Sequence, residues 1–342
     1  MKRKPSTTIL TRTVLTVAAV STLGAMFAAS TPASADAHDR GRPATYVLDG
    51  DAAGPASPGG SKFEGIGADE RRGLFYVSEV TGGEIHRGSV GSADTEEWLE
   101  GDGTDGRWTA RGITVDRAGN VYVAGGPNGI TNGADNGRPD LWVYGKDGAL
   151  LAALRTPGED VFLNDVAIGP DGAAYFTDSN DAQVFRVAEG ADGWGVTLWA
   201  DATDTITRTA GFNLGGIVLS EDHTGFVVAQ GNQGRMWRFD ARTGEVAPID
   251  VQGALDGDLV NADGLLRQGD RLTVVRNFSR MIATLEVSAD GRELELVGQR
   301  ASAADRVLTT AKALRGRILY VDSKFDEPVP SGPHQVVTDP TR

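Results

Sequence analysis

The feature that most constrains this 342-residue chain is a repeat. One unit has an apolar strand, a turn rich in Asp, Gly or Pro, and a second strand rich in Val, Tyr and Phe. It recurs at residues 63–79, 110–126, 163–179, 213–230, 261–277 and 309–323. The turns have a mechanism. In Pro170-Asp171-Gly172 and Arg117-Ala118-Gly119-Asn120, Gly and Asn tolerate the positive φ that a tight reversal needs. Five units continue with a third strand (84–90, 140–145, 182–188, 235–241, 281–287) and a fourth (96–101, 149–156, 196–202, 246–251, 294–299). The equivalent positions Glu64, Arg111, Asn164, Gly215, Asp263 and Thr310 lie 47, 53, 51, 48 and 47 residues apart. A four-stranded antiparallel unit of this period is the signature of a β-propeller. A β-sandwich would leave the period unexplained.

The sixth unit supports the same architecture. It has strands near 317–323 and 334–338 and lacks a fourth, while an orphan strand stands at 45–50. Pairing that strand into the sixth unit closes a ring and leaves no ragged edge. The expected fold is therefore all-β: a six-bladed propeller, four antiparallel strands per blade, closed by the N-terminal strand. Phe75, Tyr76, Tyr122, Tyr175, Phe176 and Tyr320 recur at one blade position. They read as core between blades and not as a stacking platform.

Residues 1–35 read as a secretory signal. Lys2, Arg3, Lys4 and Arg12 form a basic segment, an apolar run covers 14–29, and Ala33-Ser34-Ala35 matches a small-x-small cleavage site. The expected mature chain is 36–342, one domain, exported by the general secretory route because no adjacent Arg pair stands before the apolar run. That run is short and Ala-rich for an anchor, and no other long apolar run exists, so no membrane span is expected. Residues 36–43 read as a polar tail and 50–62 as a linker. The first 35 residues carry four basic and no acidic side chains, so the remainder has a net charge of −18 against −14 for the whole chain. That surface disfavours nucleic acid and anionic lipid as partners. The chain has no cysteine, which excludes thiol chemistry, and its four histidines show no zinc-ligand spacing.

In a propeller the innermost strands line a central channel, and their leading residues converge at one mouth. Glu64, Arg111, Asn164, Gly215, Asp263 and Thr310 should then form a ring. Two carboxylates and an amide make a hard, oxygen-only donor set, suited to Ca²⁺, Mg²⁺ or Mn²⁺. A divalent cation would relieve the repulsion between the two acids. The ordinary alternatives are strand-end carboxylates and Asx turns.

Glu64-Gly65, Asn164-Asp165 and Asp263-Gly264, each opening a blade, resemble the SMP-30/gluconolactonase family. The likeness to paraoxonase and strictosidine-synthase-like propellers is more distant. The resemblance runs over about residues 63–323. It implies a divalent cation, Ca²⁺ first and Mg²⁺ or Mn²⁺ next, held by Glu64, Asn164 and Asp263, with Asp263 also the general base. It implies a hydrolase of lactones or esters acting on a small molecule, which the N-terminal signal would make a secreted one. One departure stands out. The family has Asn-Gly opening blade four, and this chain has Gly215-Gly216, so a donor is missing. Asn213 is the nearest amide. Arg111 either pairs with Glu64 or contacts substrate. Asp178-Ser179 and Arg276-Asn277 end second strands near the same mouth and are expected to line a pocket, with Asn277 contacting substrate. A Gly- and Asn-rich insertion at 125–137 should lie on that face. The contrasting expectation is a non-catalytic extracellular propeller that binds a ligand or protein through its loop face. No Gly-x-Ser-x-Gly elbow is present, so no covalent acyl intermediate is expected.

Overall fold

The computed structural model describes residues 41–51, 60–126, 139–330 and 332–342. Residues 1–35, where a secretory signal is expected, residues 36–40 of the tail, residues 52–59 of the linker and most of the blade-two insertion lie outside the described residues. The strands form six sheets, one per repeat. The inner strands are Phe63–Asp69, Ile113–Val115, Leu163–Ile168, Leu214–Leu219, Ala262–Gln268 and Leu308–Leu314. The first four blades run outward from the inner strand in sequence order, and in blades five and six a strand from elsewhere in the chain takes the outer edge.

The ring closes as the repeat implied. Strand Thr45–Leu48 pairs antiparallel with His334–Val337, Tyr46 opposite Val336. The first described strand is thus the outer strand of blade six. One element differs from expectation. The fourth strand of blade four ends at Ile249, and Val251–Gln252 instead pairs parallel to Leu294–Ala301 at the outer edge of blade five. The chain covers that edge as it crosses from one blade to the next.

Burial explains why the sheets stand face to face. Successive strand residues point to opposite faces, and in a ring each face meets a neighbouring blade. Phe75 and Val77 enter the cluster between blades six and one, whereas Tyr76 enters the cluster between blades one and two. Four further clusters fill the remaining gaps between blades. All six recurring aromatics are buried in these seams. Tyr46 shows how the closing strand is locked. It is fully buried, its ring meets Phe75 edge-on at 4.9 Å, and its hydroxyl accepts from Arg317 Nη1 at 3.0 Å.

Tyr46→Ala should therefore destabilise the protein by about 3–5 kcal/mol, the usual cost of emptying a buried aromatic site. A urea unfolding series measures it. A loss under about 1 kcal/mol would mean that the closing strand contributes little to the seam.

Candidate functional site

The site is built by one backbone device repeated around the ring. Five inner strands open with a β-bulge, between Phe63 and Ile66, Leu163 and Val166, Leu214 and Ile217, Ala262 and Leu265, and Leu308 and Ala311. Each bulge holds two residues, and the two have different surroundings. The second is Gly65, Gly216 or Gly264 in three of these blades, and Gly112 holds the same place in blade two. A Cβ on any of the four would overlap the next blade: Gly65 would meet Arg111, Gly112 would meet Asn164, Gly216 would meet Asp263 and Gly264 would meet Thr310. Glycine stands there because adjacent inner strands approach too closely for a side chain. The first residue of each pair carries the chemistry.

Glu64, Arg111, Asn164, Gly215, Asp263 and Asn277 all line one cavity of about 660 Å³. Sequence positions spread over more than 200 residues thus meet in one place. The register corrects one expectation. The residue equivalent to Glu64 in blade six is Thr309, and Thr310 occupies the glycine position. Thr309 Oγ1 donates to the Glu64 carbonyl at 2.8 Å. Thr310 lines a second cavity of only about 10 Å³, shared with Glu64, Asn164, Asp165 and Asp263.

Asp263 is anchored on one side, where Asn277 Nδ2 donates to its Oδ2 at 2.8 Å. Burial raises its pKa to about 7, Asp165 adds to the rise, and the Asn277 hydrogen bond opposes it. Glu64 is pushed well above the usual carboxylate range, first by burial and then by Asp263, with Arg111 opposing and Asp165 adding. No hydrogen bond engages the side chain of Glu64 or Asn164 among the described residues. Two carboxylates and an amide, two of the three without protein partners and all oxygen donors, fit a hard divalent cation.

The other candidates have structural work. Arg111 is fully buried, its guanidinium donates to the carbonyls of Gly125, Leu163 and Gly126, and it lies 3.5 Å from the centroid of the Phe162 ring. It makes no ion pair with Glu64 within 4.0 Å among the described residues. Asn213 lines the cavity, but its amide donates to the carbonyls of Ser179, Thr209 and Gly211, and its Oδ1 accepts from Thr209 N. It does not replace the missing donor at Gly215. Asp178 accepts from the backbone of Phe162 and Asn180, Ser179 donates to Leu214 O, and Arg276 donates to Val260 O, Gly257 O and Gln299.

Sequence reasoning missed two features. Asp165 is buried at the glycine position of blade three, where its Oδ1 and Oδ2 accept from Val166 N at 2.8 Å and Ile217 N at 3.2 Å. The exception to the X-Gly pattern in Asn164-Asp165 was the available signal. Phe162, Phe212, Phe278 and Phe325 line the cavity as well, Phe162 against Phe212 at 5.1 Å and Phe278 against Phe325 at 6.5 Å. They sit on loops outside the strand period, so nothing in the repeat marks them.

A family model described as a beta-propeller repeat matches residues 103–130. No curated protein matches the chain in sequence. Among solved structures, the chain is similar to a gluconolactonase from Xanthomonas campestris, at 16% identity and TM-score 0.57, over 82% of this chain and 86% of that one. It is similar to the calcium-binding protein regucalcin from Agrobacterium tumefaciens, at 16% and 0.54, over 88% and 95%. It is similar also to virginiamycin B lyase from Staphylococcus aureus, at 13% and 0.54, over 81% and 82%. Likeness at these identities is likeness of fold, and that fold hosts lactonase, lyase and calcium-binding proteins alike. The chain is a six-bladed β-propeller, similar in fold to those structures.

Because the fold raises the pKa of Asp263, its proton favours the metal-free folded state. That contribution is complete below about pH 4 and is lost as pH rises through about 7. The melting temperature of chelator-treated protein should fall across this window, and Asp263→Asn should flatten part of the fall. Calorimetric melts at constant ionic strength provide the check. Equal slopes for both proteins would mean that Asp263 titrates as an ordinary carboxylate.

Proposed function

We propose that this protein is an exported, divalent-metal-dependent hydrolase of lactones or esters. The observation that carries the reading is the convergence of Glu64, Asn164 and Asp263 on one cavity, with oxygens free to face it. Those three residues would hold the cation, Ca²⁺ first and Mg²⁺ or Mn²⁺ next. When bound, the cation supplies Lewis-acid stabilisation of negative charge developing on a carbonyl oxygen. Asp263 takes the proton of the attacking water at Oδ1 and returns it to the departing alkoxide oxygen as the acyl C–O bond breaks, while Asn277 holds Oδ2 and so fixes the plane of the carboxylate. Burial pushes the Asp263 pKa up to about 7 without a cation; with one bound, Oδ1 would stay unprotonated at neutral pH and so be able to act as the base. Phe162, Phe212, Phe278 and Phe325 exclude water and receive the apolar part of a substrate. Arg111, engaged with backbone carbonyls, contributes its charge beside Glu64 and holds the mouth in shape. Export rests on the basic segment, apolar run and Ala33-Ser34-Ala35 site at the N-terminus.

Gly215 favours a second reading, a ligand-binding propeller without catalysis, because a donor position of the ring is empty of side chain. A panel of lactones and aryl or alkyl esters, assayed with Ca²⁺, Mg²⁺ and Mn²⁺, separates the two. Hydrolysis should be abolished by chelation and lowered by about 10²–10⁴-fold in Asp263→Asn. A panel without turnover would move the protein to the second reading, and turnover that survives both treatments would overturn the metal and Asp263 as the source of the activity.

The empty position makes its own test. A Cβ at Gly215 would lie 3.6 Å from Asp263 O and 3.7 Å from Asn164 Oδ1, ordinary contact distances. Gly215→Asn should therefore fold and add a fourth oxygen donor, tightening metal binding by about tenfold or more. Calorimetric titration reads the change, and an unaltered or weaker affinity would show that the ring does not gather on one ion.

A further inference from the structure

A second group of acids lies outside the channel. Asp51, Glu84 and Asp102 each bring one carboxylate oxygen within 4.8 Å of the other two. Three segments meet there: the chain leaving the closing strand, the turn between the second and third strands of blade one, and the connection from blade one to blade two. Val80, at the start of that turn, lines the main cavity, so the group sits beside the channel and not within it.

Glu84 makes this more than a crowded acidic surface. It is only 7% exposed, and its Oε2 has no hydrogen-bond partner. No Lys, Arg or His lies within 4.0 Å of any of the three carboxylates among the described residues. Arg107, whose charge interacts with Glu84, is turned to other groups, donating to Gly83 O, Glu100 O and the Tyr144 hydroxyl. Glu79 adds further negative charge, and its Oε1 accepts from Thr81. Two glycines shape the pocket around the Glu84 carboxylate: a Cβ on Gly82 or Gly101 would overlap it. A buried carboxylate oxygen without a partner is costly, and the two glycines leave room for the group that carries it.

We propose that Asp51, Glu84 and Asp102 form a Ca²⁺ site that clamps the chain following the closing strand onto blade one. Oxygens sharing one Ca²⁺ at 2.3–2.6 Å stand up to roughly 5 Å apart, which the 4.8 Å spread meets. Asp51 and Asp102 are exposed, so the ion enters from solvent and water completes its shell. Without it, burial, and then the neighbouring acids Glu79, Asp102 and Asp51, push the Glu84 pKa up to about 8. The bound ion cross-links the ring-closing segment, and its binding energy adds to the stability of the closed ring.

The test uses the full chain, chelator-treated, in the Asp263→Asn background so that the channel is disabled as a metal site. Calorimetric titration with CaCl₂ and melts with and without CaCl₂ are compared for that protein, for Asp263→Asn with Glu84→Gln, and for Asp263→Asn with Asp102→Asn. The expected result is saturable binding and a Ca²⁺-dependent rise in melting temperature in the first. Both are lost with Glu84→Gln, and affinity falls by about tenfold or more with Asp102→Asn. No binding in the first protein, or the same isotherm in all three, overturns the proposal and leaves Glu84 as a buried protonated acid. Should Glu84→Gln fail to fold, surface Asp102→Asn decides alone. Wild type against Asp263→Asn reports the channel separately, so failure at one site is not failure at the other.

Discussion

Everything in this molecule depends on the burial of both faces of every blade. A single four-stranded sheet would leave one face in water. Here each face packs on a neighbour, and six apolar clusters, one per seam, replace a single central core. The arrangement works only if the ring is closed, because an open ring exposes two apolar faces of the kind Phe75 and Tyr320 occupy. Pairing Thr45–Leu48 with His334–Val337 is therefore a condition for the other seams and not an ornament at the end of the chain.

The same geometry creates the site. Inner strands converge more tightly than most side chains allow, so glycine takes the second bulge position in three blades and the matching place in blade two. That requirement leaves the first position pointing at the axis, and the axis gathers whatever polar groups stand there. Glu64 and Asp263 share a confined cavity with Asn164, and confinement, more than any one neighbour, raises both carboxylate pKa values. A propeller thus concentrates charge by symmetry, and the identity of six side chains decides what the charge does.

The fold was legible because it is periodic. Strand-turn-strand spacing near 50 residues, turn glycines and one unmatched terminal strand determine blade number and closure. Within the site, Glu64, Asn164, Gly215 and Asp263 were legible for the same reason, and Asn277 because it ends a second strand. Blade six was misaligned by one residue, since Thr309 and Thr310 look alike and the bulge that separates them has no sequence mark. Asp165 was hidden by the expectation of glycine. The phenylalanine rim and the Asp51, Glu84 and Asp102 group lie in connections, where residues meet through the path of the chain and not through the period.

The closing strand also bears on the entropy of the ring. Tyr46 and Val336 are partners about 290 residues apart in sequence. Loop-closure entropy grows only logarithmically, by about 0.6 kcal/mol per doubling of loop length. Joining the two ends of an otherwise unfolded chain costs roughly 3 kcal/mol more than closing a short hairpin. Burying one large apolar side chain returns about 1.5–3 kcal/mol, so Tyr46 alone comes close to offsetting the longest-range contact in the fold. Circular architecture is thermodynamically cheap in this chain, and one aromatic residue at the seam is nearly enough to make it so.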